Sequence, residues 1–405
     1  MPGTGTGTCL EFHNPIEDAV SRVVFAPKSN NLLISSWDSN LRLYDVDCGL
    51  LRLEAPAPCE AALLHCCFQT DSESVAFSAD SDGFIRRYDL HLGTNDTVGN
   101  HHDIATCVEY SNETSRLFSA GWDKRIASWD IRSANAFTFK ELDAEVRSIS
   151  LSGFDLMAAV GASVHVYDMR NTERVVDLNE LRMDVQIRCI RANPNSRGYA
   201  AGSVDGKVAF EPYNPSDRFV LYFLMVGTIH THIGICKCQL FFVLRFWRYT
   251  FRCHPKTKDG KLHMVSINDI AFNPLALVTG DNEGYVITWD AQSRRMLHEF
   301  PRYRNSVASL SYNHTGQLLA VASSHTYQEA NEMYANPVAL CWNNPLKYSL
   351  KAWMTLLVQF LLEIYAENRK VVGIFCAIGC WNCILYPNLA PLALFSGFVV
   401  VVAVS

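Results

Sequence analysis

Ser35-Ser36-Trp37-Asp38-Ser39-Asn40-Leu41-Arg42-Leu43-Tyr44-Asp45-Val46 is the stretch whose reading decides the fold. Small residues lead into a sharp Asp/Ser/Asn turn, and an alternating strand then ends on an aromatic residue and an acid. Near-copies recur at 78–90 (SADSDGFIRRYDL), 119–131 (SAGWDKRIASWDI), 158–169 (AAVGASVHVYDM), 201–213 (AGSVDGKVAFEPY) and 279–291 (TGDNEGYVITWDA). The closing pairs begin at Tyr44, Tyr88, Trp129, Tyr167 and Phe210, in steps of 44, 41, 38 and 43, and Trp289 follows 79 residues later, one step plus an excess of similar size. A unit of this length that repeats must bury its apolar face against the next copy.

Each turn carries Asp, Asn, Gly or Ser, residues that accept the positive φ of a tight hairpin. The strand that follows alternates, with Leu41 and Leu43 set against Arg42 and Tyr44. A four-stranded WD-type blade takes about 40–45 residues and ends on such a pair. The fold expected is therefore all-β, a seven-bladed WD-repeat β-propeller over residues 10–333. Six blades are readable; the seventh, starting at Ser306, is expected to be incomplete because no aromatic-acid ending follows Ser324. A strand within 10–19 is expected to close the ring on the last blade, because a closed sheet leaves no open edge.

Two stretches break the pattern. Residues 219–247 (FVLYFLMVGTIHTHIGICKCQLFFVLRFW) carry two charges, Lys237 and Arg245, and form an apolar insert expected between blades five and six. Residues 334–405 are an apolar, non-repeat tail, with no charged residue from Val371 to Ser405. Hydropathy alone makes the tail a candidate membrane span, but Asn382, Pro387, Asn388 and Pro391 interrupt it and no basic cluster flanks it. Both stretches read better as sequence foreign to the propeller, of the kind a translated intron or an alternative splice supplies, than as a membrane anchor.

The net charge of −6 on 405 residues excludes a globally basic nucleic-acid binder, so any anion site is local and no direct DNA binding is expected. Fourteen cysteines are scattered without a disulfide framework, and Met1 to Thr8 lack the apolar run of a signal peptide, which favours reduced thiols in the nucleus or cytosol. Cys236-Lys-Cys238 and Cys380-Trp-Asn-Cys383 each lack a second pair, so no metal and no cofactor are expected. There is no GxSxG, HExxH or P-loop, and the histidines are dispersed, with His101-His102 in a polar inter-blade loop. No catalytic residues are assigned.

Particular words go beyond the repeat. NPIEDAVSRVVFAPKSNNLLISSWDSNLRLYDV, DGFIRRYDL, IRCIRANPNSRGYAAGSVDGKVA, YTFRCHPKTKDGKLHMVSINDIAFNP and GQLLAVASSHTYQEANE together resemble the mitotic spindle-checkpoint propeller of the Bub family, the third "budding uninhibited by benzimidazole" protein. DNEGYVITWDAQSRRMLHEFPRYRNSVASL is most similar to a plant paralogue. The resemblance spans loops as well as strands from about residue 10 to 333, outside the insert. It implies a non-catalytic scaffold of the nucleus and kinetochore, with a cytoplasmic pool. Such a scaffold takes a short Glu-containing peptide of the checkpoint kinase and its relative across one face. It also takes phosphothreonine motifs of the kinetochore scaffold. Ubiquitin binding is a further family possibility.

A phosphothreonine brings nearly two negative charges and needs guanidinium or ammonium donors at fixed positions. Arg188, Arg191, Lys207, Arg252, His254, Lys256 and Lys258 form a candidate patch, though on spacing alone they read better as a solvated blade face. The resemblance selects Arg188, Lys207, Arg252 and His254 as phosphate ligands; Lys207, where relatives often carry Arg, keeps the charge without the bidentate fork. It also places Trp37, and Trp122 in the same slot of the third repeat, as anchors for the partner peptide, against a plain packing role. Trp129 and Trp289 are expected to pack between strands. Trp129-Asp130-Ile131-Arg132 fits weakly the Trp-Asp-x-Arg pattern of cullin-type ligase receptors, one alternative. An mRNA-export propeller of the nuclear pore, with stacking aromatics beside basic residues, is the other.

Overall fold

A computed structural model describes residues 8–10, 16–132, 135–170, 175–194, 198–212, 220–231, 234–244, 249–253, 256–258, 261–263, 265–273, 276–290, 294–324 and 339–343. These residues form seven four-stranded antiparallel sheets, five of them meanders in which consecutive strands pair. The first sheet is Val20–Phe25, Asn31–Ser36, Asn40–Asp45 and Leu50–Pro56. Its inner strand, Val20–Phe25, packs beside Leu63–Gln69 of the second sheet. The sequence continues through Ala105–Ser111, Val146–Ser152, Ile187–Asn193, Ile267–Phe272 and Val307–Tyr312, which returns to Val20–Phe25. The all-β WD-repeat propeller read from the repeats is the fold.

Inner strands start beside inner strands. The hydroxyl of Ser21 donates to the Leu63 carbonyl (2.7 Å), Thr106 to Val146 (2.7 Å), and the Asn268 amide to Val307 (3.0 Å). All seven therefore run the same way, and the start of each inner strand, the turn between second and third strands, and the end of the fourth gather on one face, here called the upper face. The core lies between sheets. Leu33, Leu41 and Leu43 of the first sheet pack with Leu63, Cys66, Phe68 and Tyr88 of the second, and Val20, Val23 and Ile34 meet Ala320 and Ala322 of the last. This explains why second strands such as Asn31–Ser36 and Leu319–Ser323 are buried almost throughout.

An inner strand has one unpaired edge, and its N–H groups need partners. Serines of the neighbouring sheet supply them. Ser309 and Ser311 accept from the N–H of Val23 and Phe25 (3.2 and 3.0 Å), and Ser148 and Ser150 from Ile190 and Ala192 (3.3 and 3.0 Å). The small polar residues in RSISLS and SVASLSY are thus inter-sheet fasteners.

Three expectations are corrected. The last sheet is not short of strands: Ala339–Asn343, inside the stretch read as tail, pairs with Leu319–Ser323, and Thr8–Cys9 pairs with Ala339–Asn343. Closure comes from Thr8–Cys9 rather than from 10–19, where residues 11–15 lie outside the described set and 16–19 form no strand. The insert does not separate blades five and six. Tyr249–Arg252, which follows it, pairs with Lys207–Pro212 as fourth strand of the fifth sheet, so the insert interrupts that sheet between its third and fourth strands. The insert belongs to a second unit and forms an antiparallel hairpin of Val220–Thr231 and Gly234–Leu244. The tail beyond 343 lies outside the described residues. Among those described, no helix is long and apolar enough to cross a membrane.

Candidate ligand-binding face

The turn between second and third strands carries an acid in most sheets, and each acid is answered differently. In the first sheet Arg42, third residue of the third strand, forks onto Asp38 (2.7 and 3.0 Å) and also reaches Glu54 (2.7 Å). In the second, Arg86 at the same position binds Asp80 and, at 3.0 Å, Asp82. In the third, His101 bridges Asp123 (2.9 Å) and Ser119 (2.7 Å), and the indole N–H of Trp129 donates to Ser119 (2.7 Å). Burial alone would raise the Asp123 carboxyl, but the hydrogen bond and charge of His101 hold it below the ordinary carboxylate value. His101, read from sequence as part of a polar loop, is a buried member of this network.

The fifth sheet differs. Ala209 stands where Arg42 and Arg86 stand, so no guanidinium meets Asp205 from that position. Ser203 donates to its Oδ1 (2.5 Å), the Lys207 ammonium lies 2.7 Å from Oδ2, and the Arg252 guanidinium 4.0 Å from the same oxygen. Lys207 and Arg252 are register partners across the last two strands. Burial works to raise the Asp205 carboxyl, but the Lys207 and Ser203 hydrogen bonds and the Lys207 and Arg252 charges hold it below the ordinary value. Gly206 makes the turn possible. Its φ is +78°, and a Cβ there would stand 2.6 Å from the Val265 carbonyl. Arg188, second residue of the inner strand, reaches Ser266 (3.4 Å), at the start of the sixth sheet.

Arg188, Lys207 and Arg252 therefore share the upper edge of one sheet, arriving from its inner, third and fourth strands. His254 lies outside the described residues. Lys256–Lys258 pairs with Lys261–His263 in a short hairpin of the loop that follows. Arg191 is a correction to the sequence patch: it points to the ring axis, not the upper face, and binds Asp269 at 2.7 Å. Three residues from Arg188, and past the strand's irregularity at 187–189, it faces the other way.

Trp37 and Trp122 occupy the same turn position, each donating its backbone N–H to the loop before its own inner strand, at Ala19 (2.8 Å) and Ile104 (2.9 Å). Trp37 is half-buried and Trp122 is 39% exposed, whereas Trp129 and Trp289 are buried, the latter donating to Thr279 (2.8 Å). Of the Trp129, Asp130 and Arg132 triplet, Arg132 stands exposed on the opposite face and its N–H donates to Asp130 (2.9 Å). Sequence reasoning passed over two features. One is Asp205, which looked like turn grammar. The other is exposed Arg302, which donates to the Glu283 carbonyl (2.8 Å) with its guanidinium 5.1 Å from the Tyr285 ring centre.

The free cysteines described are buried except Cys48. Burial pushes the Cys66 thiol up to about 11 and those of Cys107 and Cys189 up to about 12, which keeps them protonated and unreactive.

The WD domain, G-beta repeat family matches residues 7–45 and 94–130. Over 336 residues, 82% of this chain and 98% of the relative, the sequence is 48% identical to mitotic checkpoint protein BUB3.3 of Arabidopsis thaliana. The chain belongs to the Bub3 family of WD-repeat mitotic checkpoint proteins. It is also 33% identical over 330 residues to Arabidopsis BUB3.1 and 31% identical over 338 residues to the mitotic checkpoint protein bub3 of Dictyostelium discoideum, covering 88% and 93% of those proteins. The relatives are named as mitotic checkpoint proteins, which makes this chain a WD-repeat protein of the spindle checkpoint family. In this Bub3-family chain the insert falls in sequence between the third and fourth strands of the fifth sheet, and Lys207 and Arg252 are register partners across those strands.

Proposed function

We propose that this Bub3-family chain is a checkpoint adaptor that holds a phosphothreonine motif of a kinetochore scaffold on the upper edge of its fifth sheet. The observation that supports the reading is that Lys207 and Arg252, both partly exposed, meet at Asp205 on this edge, with Arg188 on the inner strand of the same sheet reaching Ser266. A phosphate with three acceptor oxygens can be met by an ammonium and a guanidinium fork at once. The short Glu-containing peptide of the checkpoint kinase and its relative lies over the Trp37 and Trp122 turns of the same face. Large aromatic surface there supplies affinity with few rotors to freeze.

The test is titration of the full chain with a labelled phosphothreonine peptide and its unphosphorylated twin at two salt concentrations. Binding that requires the phosphate and weakens with salt is expected. Arg252→Glu should abolish that binding while the β-rich circular dichroism stays unchanged. Equal affinity for the two peptides, or an unaffected variant, would remove the reading.

A further inference from the structure

We infer that Asp205 is a specificity-determining residue of this site, restricting it to a dianionic phosphate and rejecting a singly charged carboxylate. The inference rests on the phosphate reading above. In the first two sheets the turn acid is neutralised by a buried guanidinium, Arg42, whose side chain is 3% exposed, or Arg86, 4% exposed. Asp205, itself 6% exposed, is instead answered by Lys207 and Arg252, which are 26% and 33% exposed. The carboxylate is buried and fixed by Ser203, while its counter-ions face the ligand. It is a resident competitor for the cations a ligand must use.

A glutamate or aspartate side chain offers Lys207 the same chemistry that Asp205 already provides at 2.7 Å with no ordering cost, so the exchange gains nothing. A phosphothreonine carries close to two charges and a third oxygen. It can take the unused donors of Lys207 and the fork of Arg252 together and still leave Asp205 its share of charge. Selectivity here comes from a repulsive group placed beneath the attractive ones. With Arg188 counted, three cations against one buried anion leave a surplus of about two charges, which a dianion matches and a monoanion only half neutralises.

The experiment titrates the full chain with three versions of one peptide, bearing phosphothreonine, glutamate or threonine at the same position, for wild type and Asp205→Asn. Wild type should prefer phosphothreonine over glutamate by about tenfold or more, and Asp205→Asn should bring the ratio to about twofold, chiefly by strengthening the glutamate peptide. A purely structural role would weaken both peptides together, and that outcome, or an unchanged ratio, overturns the inference while leaving the phosphate site standing. No phosphate preference in wild type overturns both. If Asp205→Asn lacks the β-rich spectrum of the parent, Ser203→Ala carries the test. By loosening the carboxylate it should lower the ratio about threefold, and an unchanged ratio again overturns the inference.

Discussion

His65 shows how a single side chain can report on the interior. It sits on the inner strand Leu63–Gln69, buried, where burial first and then the charges of Arg22 and Arg191 lower its pKa well below the ordinary histidine value. The ring is neutral in the fold and takes up a proton on unfolding below about pH 6.5. Its contribution is therefore complete above that pH and is lost as pH falls, at about 1.4 kcal/mol per pH unit. Denaturant titrations from pH 7 to 5 should show that slope, and His65→Gln should remove it. The tryptophans separate in the same way. Trp129→Ala, which empties a buried site and removes the indole hydrogen bond to Ser119, should cost about 3–5 kcal/mol. Trp37→Ala should leave the unfolding midpoint nearly in place and weaken the Glu-containing peptide. A folded Trp37→Ala with full affinity would show that residue to be packing alone. Sequence could separate closing tryptophans from turn tryptophans, because position in the repeat tells which lies between sheets. It could not tell Arg188 from Arg191, because the irregularity that turns one upward and the other inward leaves no mark in composition.

At the scale of elements, the hairpin turns were legible and the connections were not. Gly206 illustrates the first. At φ +78°, facing the Val265 carbonyl, Gly206→Ala should destabilise by at least about 1 kcal/mol and weaken phosphopeptide binding, since Lys207 follows directly. Chemical denaturation and the peptide titration read the two effects independently. The last sheet illustrates the second. Its third strand, Ala339–Asn343, has no aromatic-acid ending, so repeat grammar could not find it; it is recruited by the open edge of Leu319–Ser323. Truncation after residue 338 should therefore lower cooperativity and melting temperature relative to truncation after 349, and matching melts would show that strand to be dispensable. The insert was recognisable by composition, but its place within the fifth sheet was not, because Tyr249–Arg252 is too short to be read as a strand before its partner is known.

Across the whole molecule the axis is held by one carboxylate. Asp269 of the sixth sheet accepts from Arg22 of the first (2.8 Å) and Arg191 of the fifth (2.7 Å), and from the Ser309 hydroxyl (3.0 Å) and Leu310 N–H (2.8 Å) of the seventh. Four sheets meet on two oxygens. Removing Asp269 leaves buried Arg22 and Arg191 with only the weaker pull of Glu109, so Asp269→Ala should cost about 3–5 kcal/mol in urea unfolding. A loss under about 1 kcal/mol would show the cluster to be incidental. From sequence alone came the repeat, the all-β propeller, the turn chemistry and the apolar composition of 219–247, because each depends on residues near one another in the chain. What only the tertiary structure decided are contacts between residues far apart in sequence: the serines that fasten neighbouring inner strands, the Arg22–Asp269–Arg191 junction, the strand that completes the last sheet, and the place of Asp205 beneath Lys207 and Arg252. Local pattern sets which strands and turns form, whereas unpaired edges and buried charges are satisfied by whatever the closed ring brings beside them.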